Sequence, residues 1–538
     1  MFKQLNKKVM LKRYIILSAL TLVALAGMAQ ETYENANIAT QDLNGTARYV
    51  AMGGALEALG ADISTISTNP AGIGLFRRST ASLSFGFSSQ GDADKFHGES
   101  PTKMSFDQAG FVIASRAGSN SFVNFAFNYH KSRNFNYILK AANSLDGYSS
   151  QNRVSYNKGE AINNFIYSSG GGVYSDDIAY SQVDYLYYNT MLKDEDGNYY
   201  YSAADAYTMN RANTGYISEY DLNMSGNYND RLYWGITVGI YDVHYNGYSE
   251  YTENLVAASG ADMGDILLED YRKITGTGVD VKFGLIFRPV ESSPFRIGLS
   301  VATPTFYDLK TRNYTKLYVD GSVASDAYLN STSLDISESY NFKLYTPWKF
   351  GVSLGHTVGN YLALGVSYEY ADYTNIDSRI DDGDGWDDWG YYYEDSHSDD
   401  AMNYHTENTL KGVSTLKIGA EYKPIDNLSV RLGFNYVSPM YEDYGSKDGI
   451  IESIGNYYQS ATDYTNWDDT YRITAGVGFR MDKFTFDIAY QYSCTDGTFY
   501  PFSDVSDVAD SDENYNIATP CSVSNKRHQL LFTLGYTF

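Results

Sequence analysis

Leu428, Val430, Leu432, Phe434 and Tyr436 alternate with Ser429, Arg431, Gly433 and Asn435. On an extended backbone, successive side chains point to opposite faces, so this stretch has one apolar face and one polar or small face. The same holds for Leu362, Leu364, Val366, Tyr368 and Tyr370 against Ala363, Gly365, Ser367 and Glu369, and for Phe484, Phe486, Ile488, Tyr490 and Tyr492 against Thr485, Asp487, Ala489 and Gln491. In a soluble sandwich the apolar face would meet a second sheet. Here the pattern recurs along most of the chain with aromatics at the strand ends, which suits lipid outside and a polar lumen inside. The expected fold is all-β: a transmembrane antiparallel β-barrel of about fourteen strands.

The alternating segments lie near 79–89, 104–117, 120–131, 215–228, 230–244, 273–289, 294–309, 337–356, 360–374, 409–423, 427–441, 469–481, 483–494 and 524–538. Every second connection is tight, as at Asn229-Asp230 and Met481-Asp482-Lys483. The others are long, at roughly 90–103, 132–214, 245–272, 310–336, 375–408, 442–468 and 495–523. Short turns on one side and long loops on the other are the periplasmic and extracellular sides of an outer-membrane barrel. The 132–214 loop exceeds ordinary loop length, so ordered or functional structure is expected there. The last strand carries Leu530, Phe532, Leu534, Tyr536 and Phe538 on one face and ends on an aromatic. That ending is similar to the C-terminal signal read by the barrel assembly machinery of the outer membrane.

Composition agrees. Among 538 residues there are 53 Tyr and 26 Phe but 10 Pro, and mean hydropathy is −0.37. Residues 1–29 read as a signal peptide: Lys3, Lys7, Lys8, Lys12 and Arg13 form a basic region, Tyr14 to Leu25 an apolar one, and Gly27 and Ala29 precede cleavage after Ala29. The apolar region is too short to span a bilayer as a helix. Removing the segment takes the formal charge from −25 to −30. A chain so acidic is no partner for nucleic acid, since phosphate binding needs clustered cations. The expected location is the outer membrane of a Gram-negative cell, in contact with its lipid and lipopolysaccharide.

Ahead of the first strand lies Thr46 to Phe76, rich in Gly, Ala and Ser and ending in the turn signal Asn69-Pro70-Ala71-Gly72. It has too little bulk for a core of its own and reads as an insert packed inside the barrel. The expected division is 1–29 signal peptide, 30–78 plug and 79–538 barrel.

Motifs for chemistry are sparse. The seven His are scattered, and His397 and His405, the closest pair, lack zinc spacing. Asp194 to Asn198 and Asp382 to Asp388 contain fragments of calcium loops without the closing Glu, and read as acidic turns. No nucleophile elbow or phosphate-binding loop is present. The expectation is a non-enzyme with no cofactor and no metal. Export permits a disulfide between Cys494 and Cys521, which flank one predicted loop; two free thiols are the alternative. Inward-facing charges include Lys282, Arg296, Lys417 and Arg431 with Glu369, Glu421 and Asp487. Mutual salt bridging is one reading. In the other, Lys282 or Lys417, nearer mid-strand, anchors a substrate carboxylate.

The stretch Arg48 to Asp62 followed by Asn69-Pro70-Ala71 resembles the N-terminal hatch of the FadL/TodX-type outer-membrane transporters, which take up long-chain fatty acids and other hydrophobic compounds. Thr346-Pro347-Trp348-Lys349-Phe350-Gly351-Val352, Glu369-Tyr370-Ala371-Asp372-Tyr373 and Leu416 to Tyr422 add to the resemblance. It implies a monomeric fourteen-stranded barrel plugged by the hatch, with Asn69, Pro70, Ala71 and Gly72 at the gate. It also implies passive transport, from the extracellular loops to a lumenal pocket and out sideways through a distortion of the third strand. Here that strand, Ser121 to Lys131, has no Gly or Pro to supply the distortion, and the loops are longer and more acidic than the family's. A ligand more polar than a fatty acid fits such loops. A surface binding or adhesion protein that uses its Tyr-, Asn- and Asp-rich loops is the alternative function. A general porin is disfavoured, because a plugged lumen conducts little.

Overall fold

The structure, a computed structural model, describes residues 31–146, 149–168, 181–193, 199–257, 260–320, 332–386, 389–449, 451, 453–503 and 516–538. Residues 1–29 and Asp194 to Asn198 lie outside that set.

Fourteen strands close an antiparallel barrel: β1 (Thr80–Gln90), β2 (Thr102–Arg116), β3 (Phe122–Asn134), β4 (Ala203–Tyr228), β5 (Leu232–Val256), β6 (Asp262–Phe287), β7 (Arg296–Ala302), β8 (Lys349–Val358), β9 (Leu362–Asp372), β10 (Gly412–Ile425), β11 (Leu428–Val437), β12 (Tyr464–Met481), β13 (Phe484–Tyr500) and β14 (Cys521–Thr537). Closure is the pairing of β14 with β1, from Thr80↔Thr537 to Gln90↔Arg527. The apolar face of each strand points outward: Met104 is 71% exposed and Leu432 63%. An exposed apolar surface of this extent in an otherwise polar chain is a lipid-facing belt. Among the described residues no helix is long and apolar enough to cross a membrane; the strands do so.

The tight turns gather at one end of the barrel. Asn229 and Asp230 both have φ near +50°, the geometry of a two-residue hairpin that matches the strand twist. At the other end, β4, β5 and β6 run on for 25 or 26 residues, far beyond the belt. The expected strand 294–309 breaks at Pro304, and 337–356 breaks at Pro347. Above those breaks, Phe306–Asp320 pairs with the upper half of β6 and with Thr332–Tyr345. Proline cannot donate to a ladder, so pairing is interrupted at each and resumes beyond it. The long third connection is ordered where described: Tyr137–Ser144 pairs with β4, and helices α3 (Gln151–Ser168) and α4 (Gln182–Thr190) cap the barrel. Val183, Leu186 and Tyr187 of α4 bury against Tyr207, Tyr251 and Phe499 of the extended strands.

The N-terminal region fills the lumen. Helix α1 (Thr32–Ala39) lies high in the barrel, with Tyr33 stacked on Tyr441 at 5.0 Å. Below it, residues 46–75 fold into a short helix α2 (Ala47–Ala51) and two 3-10 turns, Ile63–Ser67 and Pro70–Leu75. This plug meets the wall backbone to backbone. Each strand from β5 to β12 turns one glycine toward it, including Gly235, Gly284, Gly365, Gly419 and Gly433. A Cβ at Gly355 would lie 3.1 Å from the carbonyl carbon of Ala58, and one at Gly235, Gly284 or Gly365 would overlap the plug main chain at Pro70, Ala71 or Ala55.

Candidate functional site: a charged cavity behind a window in the barrel wall

Asn69, Pro70, Ala71 and Gly72 are all fully buried. Asn69 caps the second 3-10 turn, accepting from Ala71 N at 3.2 Å through Oδ1, and Pro70 sits at the first turn position, where its missing N–H costs nothing. Side chains fasten the plug as well. Lys417 Nζ lies 2.8 Å from Glu57 of the plug and 3.4 Å from Glu369. Arg48 donates to Glu421 at 3.1 Å, and Arg296 to Leu59 O at 2.9 Å. The plug is wedged across the barrel.

Of the two readings of the inward charges, these pairs favour mutual salt bridging over Lys417 and Lys282 as ligand anchors. Lys417 lines the cavity, but its charge is met by two carboxylates. Lys282 is 2.6 Å from Glu219, 2.9 Å from Asp280 and 3.3 Å from Asp221, away from the cavity lining. A mid-strand cation on the inward face is where the interior needs a counter-charge, so both are consumed by the fold. The disulfide reading is corrected. Cys494 and Cys521 are both free. They stand on adjacent strands, but Cys494 faces Lys526 and Cys521 faces Phe499, a five-residue offset of about 17 Å, beyond disulfide reach. Asp382 lies in a strand and pairs with His397 at 2.7 Å.

Above the plug lies a cavity of about 430 Å³, within the range of small-molecule sites. Its floor includes Leu43, Asn44 and Tyr49, and its upper wall Tyr33 and Glu34 of α1. Aromatics such as Phe135, Tyr245 and Trp467 share the lining with nine Lys and Arg and eight Asp and Glu. On a chain with 40 basic and 65 acidic residues, that is a local enrichment in positive charge. Several of these cations are paired: Arg211 with Asp463 at 2.6 Å, and Arg272 with Glu34. One group is not balanced. Arg133 (3.1 Å) and Arg527 (3.7 Å) share the single carboxylate of Asp42. Arg472 stands in the same electrostatic cluster and donates to the Asn435 amide at 2.7 Å. Three guanidiniums against one carboxylate make a ready anion site, suited to bidentate groups.

The cavity reaches a break in the wall. The β2–β3 ladder runs from Arg116↔Phe122 up to Gln108↔His130 and stops. Above it, Thr102 to Phe106 pair with β1 only, and Lys131, Arg133 and Asn134 with β4 only. Each strand carries a bulge there: Asp107 is the extra residue in β2, and Ser132 in β3. Bulges bend strands and end pairing, so the window forms without the Gly or Pro expected. Its upper edge is Gln90, whose side-chain amide bonds both ways with the Ile138 backbone at 2.8 Å. Across the window, Asn44 Nδ2 donates to Asp107 Oδ1 and to Lys131 O, each at 3.0 Å, and Lys131 Nζ donates to Ser105. Phe106 and Tyr129 pack together outside it at 5.3 Å. Asn44, Asp107, His130, Lys131 and Ser132 all line the cavity.

Sequence reading missed Arg133, Arg472 and Arg527 because each sits at the extracellular end of a strand, where polar residues are ordinary. Their one signal is phase: Arg472 falls in step with inward Thr474, and Arg527 with inward Gln529, Leu531 and Thr533.

No protein-family model and no curated protein matches the chain. Solved structures do. The chain is similar to the Pseudomonas putida toluene transporter TodX, with 10% identity over 93% of this chain and 100% of that one and a TM-score of 0.46. It is similar to the Ralstonia pickettii toluene transporter TbuX, with 13% identity over 92% and 99% and a TM-score of 0.46. It is also similar to a Pseudomonas aeruginosa FadL homologue, with 12% identity over 95% and 100% and a TM-score of 0.44.

Proposed function

We propose that this chain is a FadL/TodX-type transporter of the Gram-negative outer membrane, acting passively on small amphiphiles that combine an apolar body with an anionic group. The observation that carries the reading is the junction of the Arg133, Arg472 and Arg527 cluster with the wall window, through one cavity. The guanidiniums take a carboxylate or similar head group, and the aromatic lining takes the apolar part. The plug denies an axial route, because it is wedged against glycines on eight successive strands. The window between β2 and β3 opens beside exposed Met104 and Phe106, at the level of lipid. A solute leaving there enters the outer leaflet already past the lipopolysaccharide layer, and no energy input is needed.

The test is uptake by cells that produce or lack the protein, over a panel holding long-chain fatty acids, short aromatic acids and neutral aromatics of equal size. Faster uptake of the anionic members on expression is the expected result. Equal uptake of every member with and without the protein overturns the proposal.

A surface-binding role has one observation in its favour: Tyr404 and Tyr444 are 70% and 75% exposed on the extracellular connections. If that is the function, replacing Tyr404 and Tyr444 with Ser abolishes partner binding and leaves solute uptake intact.

A further inference from the structure

On a chain with 65 acidic and 40 basic residues, the outer face of the wall carries one cationic patch just above the lipid belt. Phe306–Asp320 alternates: Thr311, Asn313 and Thr315 are buried on the lumenal side, while Lys310, Arg312 and Tyr314 face out. Its partner β6 does the same, with Tyr271 and Lys273 exposed and Arg272 and Ile274 buried. The register sets Arg312 directly opposite Lys273, and Lys310 opposite Thr275. On the far side of that strand Lys310 and Arg312 meet Asn341 and Ser339, and beyond Lys273 stands Asn246. None of the three cations has a carboxylate opposite it.

The neighbouring outward cations differ. Lys316 has Glu269 on one side and Asp335 on the other, Lys343 stands opposite Asp308, and Arg379 pairs with Asp377 at 2.8 Å. Lys273, Lys310 and Arg312 form no ion pair and no side-chain hydrogen bond among the described residues. Like charges directly opposite across a ladder destabilise it, and an anion between them removes that cost. Height gives a second argument. The apolar belt ends at exposed Val279 and Phe306. Lys310 is four residues beyond Phe306, about 14 Å along the strand and about 10 Å along the membrane normal at the usual tilt. Long basic side chains reach back toward the interface, so these charges lie in the polar layer of the outer leaflet. Above them, exposed Tyr271 and Tyr314 stand 6.2 Å apart, a ledge on which sugar rings stack.

We propose that Lys273, Lys310 and Arg312 hold the phosphates of one lipopolysaccharide molecule against the outside of the barrel. The positive charge selects phosphate, with the Arg312 fork suited to two oxygens at once and the lysines acting as point charges. The height selects a lipid of the outer leaflet, and the tyrosine ledge selects one that carries sugars over a glycerophospholipid. Held there, the lipid joins the tall β5–β6 hairpin to the leaflet and fixes the depth at which the barrel sits. The inference rests on the outer-membrane location proposed above and not on the solute carried: the patch is on the outer surface at β6, three strands from the window. Failure of the patch therefore leaves the uptake test untouched, and failure of uptake leaves this one untouched.

The experiment is native mass spectrometry of the purified, detergent-solubilised full chain with EDTA present, titrated with a rough-type lipopolysaccharide, with the same molecule after enzymatic dephosphorylation, and with phosphatidylglycerol. The expected result is one lipopolysaccharide retained per chain, with at least tenfold weaker binding of the dephosphorylated form and of phosphatidylglycerol. The Lys273→Gln, Lys310→Gln, Arg312→Gln triple variant should lose at least tenfold in affinity for intact lipopolysaccharide, and the Lys273→Arg, Lys310→Arg variant should keep it. These side chains are on the surface, so both variants fold, as heat-modifiable gel migration checks. Equal affinity in the wild type and the folded triple variant overturns the site. Equal binding of phosphatidylglycerol, or of the dephosphorylated form, overturns the assignment to lipopolysaccharide phosphates.

Discussion

Asn44 lies 3.0 Å from the Asp107 carboxylate on β2 and, through the same side-chain nitrogen, 3.0 Å from the main-chain carbonyl of Lys131 on β3. One lumenal residue thus bridges the two strands where the β2–β3 ladder has none, beside the direct bond from Lys131 to Ser105. The latch is local and polar, and it belongs to the connection between α1 and the plug rather than to the wedged plug itself.

Asn44→Ala removes both bonds and leaves Asp107 buried with Ser105 as its remaining donor. Uptake of anionic amphiphiles by cells carrying the variant should rise severalfold, because the window keeps only the bond from Lys131 to Ser105. The cost to thermal stability should stay on the order of 1–2 kcal/mol. Unchanged uptake in a folded variant would assign Asn44 to structure alone.

Gly284→Val tests the wedge. Its side chain would strike Asn69 and the main chain of Ala71, and the plug can yield only by moving as a unit. Single-channel conductance in planar bilayers should rise from near zero for the wild type to a measurable, noisy level, and assembly yield should fall. A silent channel at normal yield would show that the plug adapts in place.

Much of this was legible in sequence. Fourteen segments alternate because lipid and lumen impose period two, and the structure has strands at all of them. Their turn-side ends agree within a few residues, since Asn229-Asp230 and Met481-Asp482-Lys483 can hardly be anything but turns. Their extracellular ends do not agree. Beyond the belt there is no lipid to enforce an apolar face, so β5 continues through Tyr245 to Val256 as a ladder with no periodic signature. The window was invisible because bulges at Asp107 and Ser132 need no special residue. The sequence left the roles of Lys282 and Lys417 open between ion pairing and ligand anchoring, because alternation tells which way a side chain points and nothing of the carboxylates opposite. Those come from strands far away in sequence, as Glu219 and Asp221 do for Lys282, or from the plug, as Glu57 does for Lys417.

Stability of the extracellular cap should depend on pH through Glu253. This residue lies near the top of β5, beyond the lipid belt, and accepts from Gln151 N at the start of α3 and from Tyr251 Oη at 2.8 Å. Burial raises its pKa from 4.5 to about 7, outweighing these hydrogen bonds. The neutral acid is the form the fold favours, so its contribution is full below pH 4.5 and is lost as pH rises through about 7. The change is on the order of 3 kcal/mol. Hydrogen exchange in residues 151–157, corrected for intrinsic rate, should lose protection across that window in the wild type and stay flat in Glu253→Gln. Equal profiles would remove Glu253 as the titrating group.

The central claim, exit of an amphiphile sideways between β2 and β3, is tested most directly by tying the window shut. Cysteines are placed by Ser105→Cys and Lys131→Cys in a background with Cys494→Ser and Cys521→Ser, and are joined on the cell surface by a short, reducible bifunctional thiol reagent. Uptake of a long-chain fatty acid should fall to the level of cells lacking the protein when the link forms and return when it is reduced. Uptake that continues unchanged with the link complete would contradict the lateral route.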